Sequence, residues 1–251
     1  ELLTGSTTQS RRKNIISDLA NGATKILVGT HALLEDPIEF FRLGLVVVDE
    51  QHRFGVHQRN KLLNKGLQPH LLSMTATPIP RTLALSLYGD LDISQIDELP
   101  PNRTPIETKL LSHNKKEIAY KLIRDQVLDK RQAFVVLPLI EESDKLELNS
   151  AIDVYEELSS SIFSEFSVGL LHGRMKSSEK QLVINKFIDR KLDILVCTTV
   201  IEVGVDVPNA SVMVIDNADR FGLAQLHQLR GRVGRGSLKS YCILIYQGKN
   251  N

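Results

Sequence analysis

The sequence contains no tryptophan, an absence that carries no functional message, and only two cysteines, Cys197 and Cys242. Each cysteine sits inside an apolar run, at 194–197 and 241–244. That context reads as a small buried hydrophobe and fits a reducing, cytoplasmic compartment. No stretch approaches the roughly 18 consecutive apolar residues that mark a membrane span. A basic-then-apolar leader of the secretory kind is also missing. Neither sign of charge is in excess: 31 Lys and Arg face 30 Asp and Glu, a formal charge of +1. A protein that held nucleic acid by bulk electrostatics would be more basic, so composition alone neither argues for such a partner nor excludes local patches. H-E-x-x-H and the Cys/His zinc spacings are absent. So is any G-x-x-x-x-G-K-[ST] loop, whose backbone amides and lysine would cradle phosphates.

What is present is an ordinary globular composition, 42% hydrophobic and 24% charged over 251 residues, comfortable for two domains of roughly 100–150 residues each. Short apolar runs at 25–28, 45–48, 71–74, 133–137, 168–171, 194–197, 212–215 and 241–245 alternate with helical patterns at 115–128, 151–159 and 178–188. That alternation predicts an α/β chain with a mainly parallel sheet. Few polar residues interrupt the runs, as expected of strands covered on both faces. In 115–128, Ile118, Leu122, Ile123 and Val127 recur at helical spacing. The stretch 100–105 (PPNRTP) holds three prolines in six residues and cannot propagate a helix or central strand, so it reads as a semi-rigid connector. The expected domains are therefore 1–105 and 106–251. The first has too few strands for a complete doubly wound domain and the chain opens with Glu1 in mid-phrase, so an N-terminal truncation is expected.

Two segments carry chemistry. The run 45–48 ends in Asp49-Glu50-Gln51-His52. Ligands of open α/β sheets bind at the C-terminal ends of strands, where an Asp can hold Mg²⁺ and a neighbouring Glu can polarise water. A bare Asp-Glu pair is more often a solvated acidic turn. In the other half, 225–236 (QLHQLRGRVGRG) spaces three arginines among three glycines. Guanidinium groups keep their charge and fork to phosphate oxygens, which suits charge building on a phosphoryl group in transfer. A surface patch for any polyanion is the plainer reading of that cluster alone. The acidic strand end and the arginine cluster lie in different domains, which together suggests one nucleotide held between two lobes.

These segments resemble superfamily 2 helicase motifs. Asp49-Glu50-Gln51-His52 resembles motif II, 228–235 (QLRGRVGR) motif VI and Thr75-Ala76-Thr77 motif III. Val28-Gly29-Thr30-His31 resembles motif Ib, and 198–206 (TTVIEVGVD) resembles motif V. Order and spacing match over nearly the whole chain. The stretches 49–55 (DEQHRFG), 75–83 (TATPIPRTL) and 228–236 are similar to the RecG family and to transcription-repair coupling factors. By contrast, 86–108, 138–143 (PLIEES) and 170–175 (LLHGRM) resemble the RecG family alone. Asn102 departs from the glycine usual there, and Asn tolerates the left-handed turn in its place.

The resemblance implies two RecA-like parallel-sheet lobes, the first truncated, in an ATP-dependent DNA helicase of repair and recombination. Its phosphate loop and wedge domain would lie upstream of this chain, and its helical hairpin downstream. It further implies ATP and Mg²⁺ as cofactors, branched DNA read through its backbone as partner, and a monomer. Asp49, Glu50, Arg232 and Arg235 are the implied catalytic residues, with Asp49 holding Mg²⁺ through water. Gln51, His52, Gly204, Asp206 and Gln228 would meet the nucleotide. Thr30, His31, Thr75, Thr77, Thr198 and Thr199 would meet DNA or relay the state of the cleft. Two other classes stay open: a metal-dependent hydrolase using Asp49, Glu50, His52, His31 and His57, and a lobe pair that grips DNA without turnover.

Overall fold

The computed structural model describes residues 1–35, 37–51, 54–76, 92–98, 103–138, 144–198, 207–236 and 238–248, with backbone alone for 144–150. The chain divides into two compact units, Glu1–Leu87 and Tyr88–Asn251.

The second unit is built on one parallel sheet. Its strands are β5 (Glu107–Ser112), β6 (Gln132–Val136), β7 (Val168–Leu171), β8 (Ile194–Cys197), β9 (Ala210–Ile215) and β10 (Tyr241–Tyr246), in the order β5-β10-β9-β6-β8-β7. Side chains alternate across a strand, so each central strand feeds two cores. Phe134, Val136, Leu195, Cys197, Met213 and Ile215 point to one face. Ala133, Val135, Ile194, Val196, Val212 and Val214 point to the other. Both faces are covered, which is why these strands are near-continuous apolar runs. Helices α3 (Lys116–Leu128) and α4 (Asp144–Glu157) lie over the second face through Ala119, Ile123, Val127 and Ala151. On the first face lie α5 (Ser177–Ile188) and α6 (Leu223–Arg230), through Phe187 and Leu229. Emptying such a position, as in Phe134→Ala, costs about 3–5 kcal/mol.

Three expectations shift here. The buried stripe of α3 is Ala119, Ile123 and Val127, while Ile118 is 54% exposed. Helix α4 starts earlier than expected and continues into a π turn over Leu158–Ile162. Strand β5 was not anticipated, because Glu107, Thr108, Lys109 and Ser112 interrupt its apolar pattern. Among the described residues it is an edge strand, paired along its whole length with β10 alone, and at sheet edges polar residues are the rule.

The first unit contains β1 (Leu2–Leu3), α1 (Gln9–Ala20), β2 (Val28–Gly29), a 3-10 turn at His31–Leu34, β3 (Leu45–Val48), α2 (Val56–Leu63) and β4 (His70–Ser73). Its strands form two parallel pairs, β1-β2 and β3-β4. Leu3, Ile15, Leu19, Ala32 and Ile38 make one small core, and Val46, Val48 and Leu62 another. The run 25–28 shrinks to Val28–Gly29, because β1 offers only two residues as ladder partners. Coverage on both faces also fails for β3: Val46 and Val48 are buried while Leu45 and Val47 are 56% and 53% exposed.

Candidate active site

In the first unit the acidic strand end is fixed by its backbone. Strand β3 runs straight into Asp49, whose Oδ1 accepts the Glu50 N–H at 2.8 Å. Glu50 takes a left-handed conformation, φ 50°, which turns the chain sharply off the strand. Backbone of this kind in a non-glycine residue costs of order 1–3 kcal/mol and gathers at functional sites. Asp49 is exposed and Glu50 half-buried, with one of its carboxylate oxygens shielded from solvent. Gln51 then ties the two strands of the pair together. Its N–H donates to the Met74 carbonyl at 3.0 Å, and its Oε1 accepts the Ser73 hydroxyl at 2.6 Å. Thr75 follows directly, so the residues expected as motifs II and III share one hydrogen-bonded strand end.

The residues of motif Ib join the same unit. Gly29 lies so close to β1 that an added Cβ would meet the Leu3 carbonyl oxygen at 2.3 Å, so the position requires glycine. Thr30 is exposed beyond it. His31 stacks on Phe54 with ring centroids 4.5 Å apart and planes within 10°. Phe54 was not singled out from sequence, although it lies in DEQHRFG. His52 and Thr77 lie outside the described residues.

In the second unit the arginines ride on α6 and the loop after it. The Gly222 N–H donates to Gln225 Oε1 at 3.1 Å, closing the first turn of the helix. Leu229 and Val233 are fully buried, which fixes how the helix and loop rotate about the core. Arg232 is half-buried and Arg235 exposed, with Arg235 Nε donating to the Gly231 carbonyl at 3.3 Å. Gln228 is half-buried on the same helix. Thr198 is reached by a different strand, β8, separated from β9 by β6. The residue is 1% exposed, and among the described residues its hydroxyl has no hydrogen-bond partner. Thr199, Gly204 and Asp206 lie outside the described residues.

Both cysteines are free and buried, as the apolar runs implied. Burial pushes the Cys197 thiol far up and that of Cys242 up to about 12, so neither is a nucleophile. Among the described residues no helix is long and apolar enough to cross a membrane.

Both units match known families. The DEAD/DEAH box helicase model matches residues 1–85, and the helicase conserved C-terminal domain model matches 114–237. The chain is 58% identical over its whole length to the ATP-dependent DNA helicase RecG of Synechocystis sp., of which it spans 30%. It is 53% identical to that of Bacillus subtilis over 99% of this chain and 36% of that protein. A structure of RecG bound to a three-way DNA junction matches with a TM-score of 0.75 and 48% identity, over 98% of this chain and 32% of that one. The helicase MrfA bound to DNA and AMPPNP, at 19% identity and a TM-score of 0.69, shares the fold. Fold and comparisons together define an α/β chain of RecA-like parallel-sheet units that matches helicase domain models along most of its length. Within that class, the chain is similar along its whole length to RecG proteins, of whose length it spans about a third.

Proposed function

We propose that the protein to which this chain contributes is an ATP-dependent DNA helicase or translocase that remodels branched DNA, forks and Holliday-type junctions, in repair and recombination. One observation carries the reading: identity near or above half along both units at once to proteins of that name, one solved on a three-way junction. The buried free cysteines fit a cytoplasmic location, and we take the working unit to be a monomer.

Asp49 is the proposed metal-orienting residue. It offers an exposed oxygen donor whose orientation the Glu50 N–H fixes. Mg²⁺ asks for one or two carboxylates, waters and substrate phosphates rather than a protein cage. The described residues accordingly need no cluster of three or more His, Cys, Asp or Glu, and contain none. Bound with ATP, Mg²⁺ supplies charge that neutralises the β- and γ-phosphate oxygens.

Glu50 takes the proton of the attacking water. Arg232 and Arg235 fork to the γ-phosphate as negative charge spreads over it. Gln51, His52, Gly204, Asp206 and Gln228 contact or sense the nucleotide. Thr30, His31, Thr75, Thr77, Thr198 and Thr199 meet the DNA backbone or relay to it. Small hydroxyl donors suit sequence-independent phosphate contact, which explains DNA binding at a formal charge of +1.

In the full-length protein, Glu50→Gln should lower DNA-stimulated ATP turnover by on the order of 10²–10⁴ and leave junction binding intact. Unchanged turnover would remove Glu50 from the chemistry.

A further inference from the structure

The loop that carries Arg232 and Arg235 is gripped from outside by the connector. Arg103 Nε donates to the carbonyl of Gly234, between the two arginines in sequence, at 3.0 Å. The Thr104 hydroxyl donates to the Leu238 carbonyl at 2.8 Å. The Glu107 N–H donates to the Ser240 carbonyl at 2.9 Å, where β5 and β10 begin to pair. Lys239 closes the same seam with an ion pair to Glu107 at 2.9 Å.

Gly234 shows how tight the seam is. It sits at φ 72°, and an added Cβ would meet Ile106 Cγ1 at 2.7 Å. The loop is thus held on one side by the buried Val233 and on the other by residues 103–107. Those residues belong to the second unit and follow the covalent link from the first.

We propose that 103–107 is a clasp that sets the arginine loop, with Arg103 a positioning residue for ATP hydrolysis. The proposal rests on the roles given above to Arg232 and Arg235. It makes the connector a mechanical relay: displacement of the path from the first unit shifts Gly234, and Gly234 carries its two arginine neighbours. Misplacement of reacting groups by about 1 Å can cost on the order of 10² in rate, so a small slip of the clasp is enough to switch turnover.

The test uses the full-length protein. Arg103→Ala should lower kcat for DNA-stimulated ATP hydrolysis by about tenfold or more, as loss of a charged donor predicts. The KM for ATP and the affinity for a junction should each stay within about threefold, because a positioning defect falls on the transition state. Arg103→Lys keeps a cationic donor and should recover most of the rate. Arg103→Ala added to Arg235→Ala should slow residual single-turnover hydrolysis by less than Arg103→Ala slows the wild type, since only Arg232 is then left for the clasp to place. Independently of activity, Arg103→Ala should speed amide hydrogen exchange in 231–240 by about tenfold and leave 194–197 unchanged. Wild-type kcat with unchanged exchange, or full additivity in the double variant, would overturn the clasp. If Arg235→Ala alone turned over ATP normally, the assignment of the arginines would fail instead, and the exchange comparison would decide the clasp by itself.

Discussion

Gly234 and Asp216 show how single residues are constrained in the second unit. At Gly234 the left-handed backbone and the close approach of Ile106 act together. Gly234→Ala should therefore destabilise the second unit by about 1–3 kcal/mol, read as a lowered urea midpoint. Adding Ile106→Ala removes the clash and should return part of the loss; a greater loss in the pair would show that Ile106 is not the obstacle. Asp216, at the end of β9, has its carboxyl pushed up first by burial, with Asp219 adding to it. The Asn217 N–H, His113 and Lys116 pull the other way. A native value above the unfolded 3.8 means that this group's stabilising contribution is complete below 3.8 and is lost as pH rises through the raised value. Asp216→Asn, whose Oδ1 can still accept the Asn217 N–H, should raise stability at pH 7.5 and raise it less at pH 4.5. Urea midpoints showing an equal gain at both would contradict this. Site chemistry at this scale was legible in part. The proposed catalytic residues Asp49, Glu50, Arg232 and Arg235 stand out by type and spacing, whereas the hydrogen bond from Arg103 to Gly234 was hidden in a stretch whose prolines suggested only a spacer. Nothing local in PPNRTP reveals that a carbonyl some 130 residues on will accept from it.

At the scale of elements, coverage separates the two units. Strand β8 is buried at every position, while β3 alternates between buried and exposed. Strand β4 repeats the alternation less strictly, leaving Leu72 50% exposed opposite Val47. Backbone that opens toward solvent exchanges faster. Hydrogen exchange should accordingly show Val168–Leu171 and Ile194–Cys197 protected for longer than Val28–Gly29 and Leu45–Val48. Equal protection in a dilute monomer would contradict the ranking. The central strands were legible because a sheet covered on both faces writes itself as unbroken Val, Ile and Leu. Strand β5 was not, because an edge strand shows half its residues to water and mixes Thr and Lys with its leucines. The run at 25–28 failed for the opposite reason: apolar residues make a strand only where a ladder partner exists, and β1 supplies two.

At the scale of the molecule, catalysis is proposed to need parts from both units and more than this chain contains. The sequence has the acids, arginines and threonines proposed above for the site but no phosphate-cradling loop, and it spans 30% and 36% of two RecG proteins to which it is similar. Mg²⁺ and two arginines cannot by themselves position a triphosphate. The isolated chain should hydrolyse ATP at background rate, and DNA-stimulated turnover abolished by Glu50→Gln would refute that. The central claim concerns the arginine loop as the second unit's contribution to an ATP-driven motor. It is tested most directly by ATP-dependent opening of a synthetic three-way DNA junction by the full-length protein and its Arg235→Ala variant. In GTPase systems an arginine finger contributes on the order of 10³–10⁵ in rate. Near-complete loss of opening and of ATP turnover, with junction affinity kept within a few fold, is the expected result. Collapse of junction affinity with normal turnover per bound complex would make Arg235 a DNA contact and contradict the account.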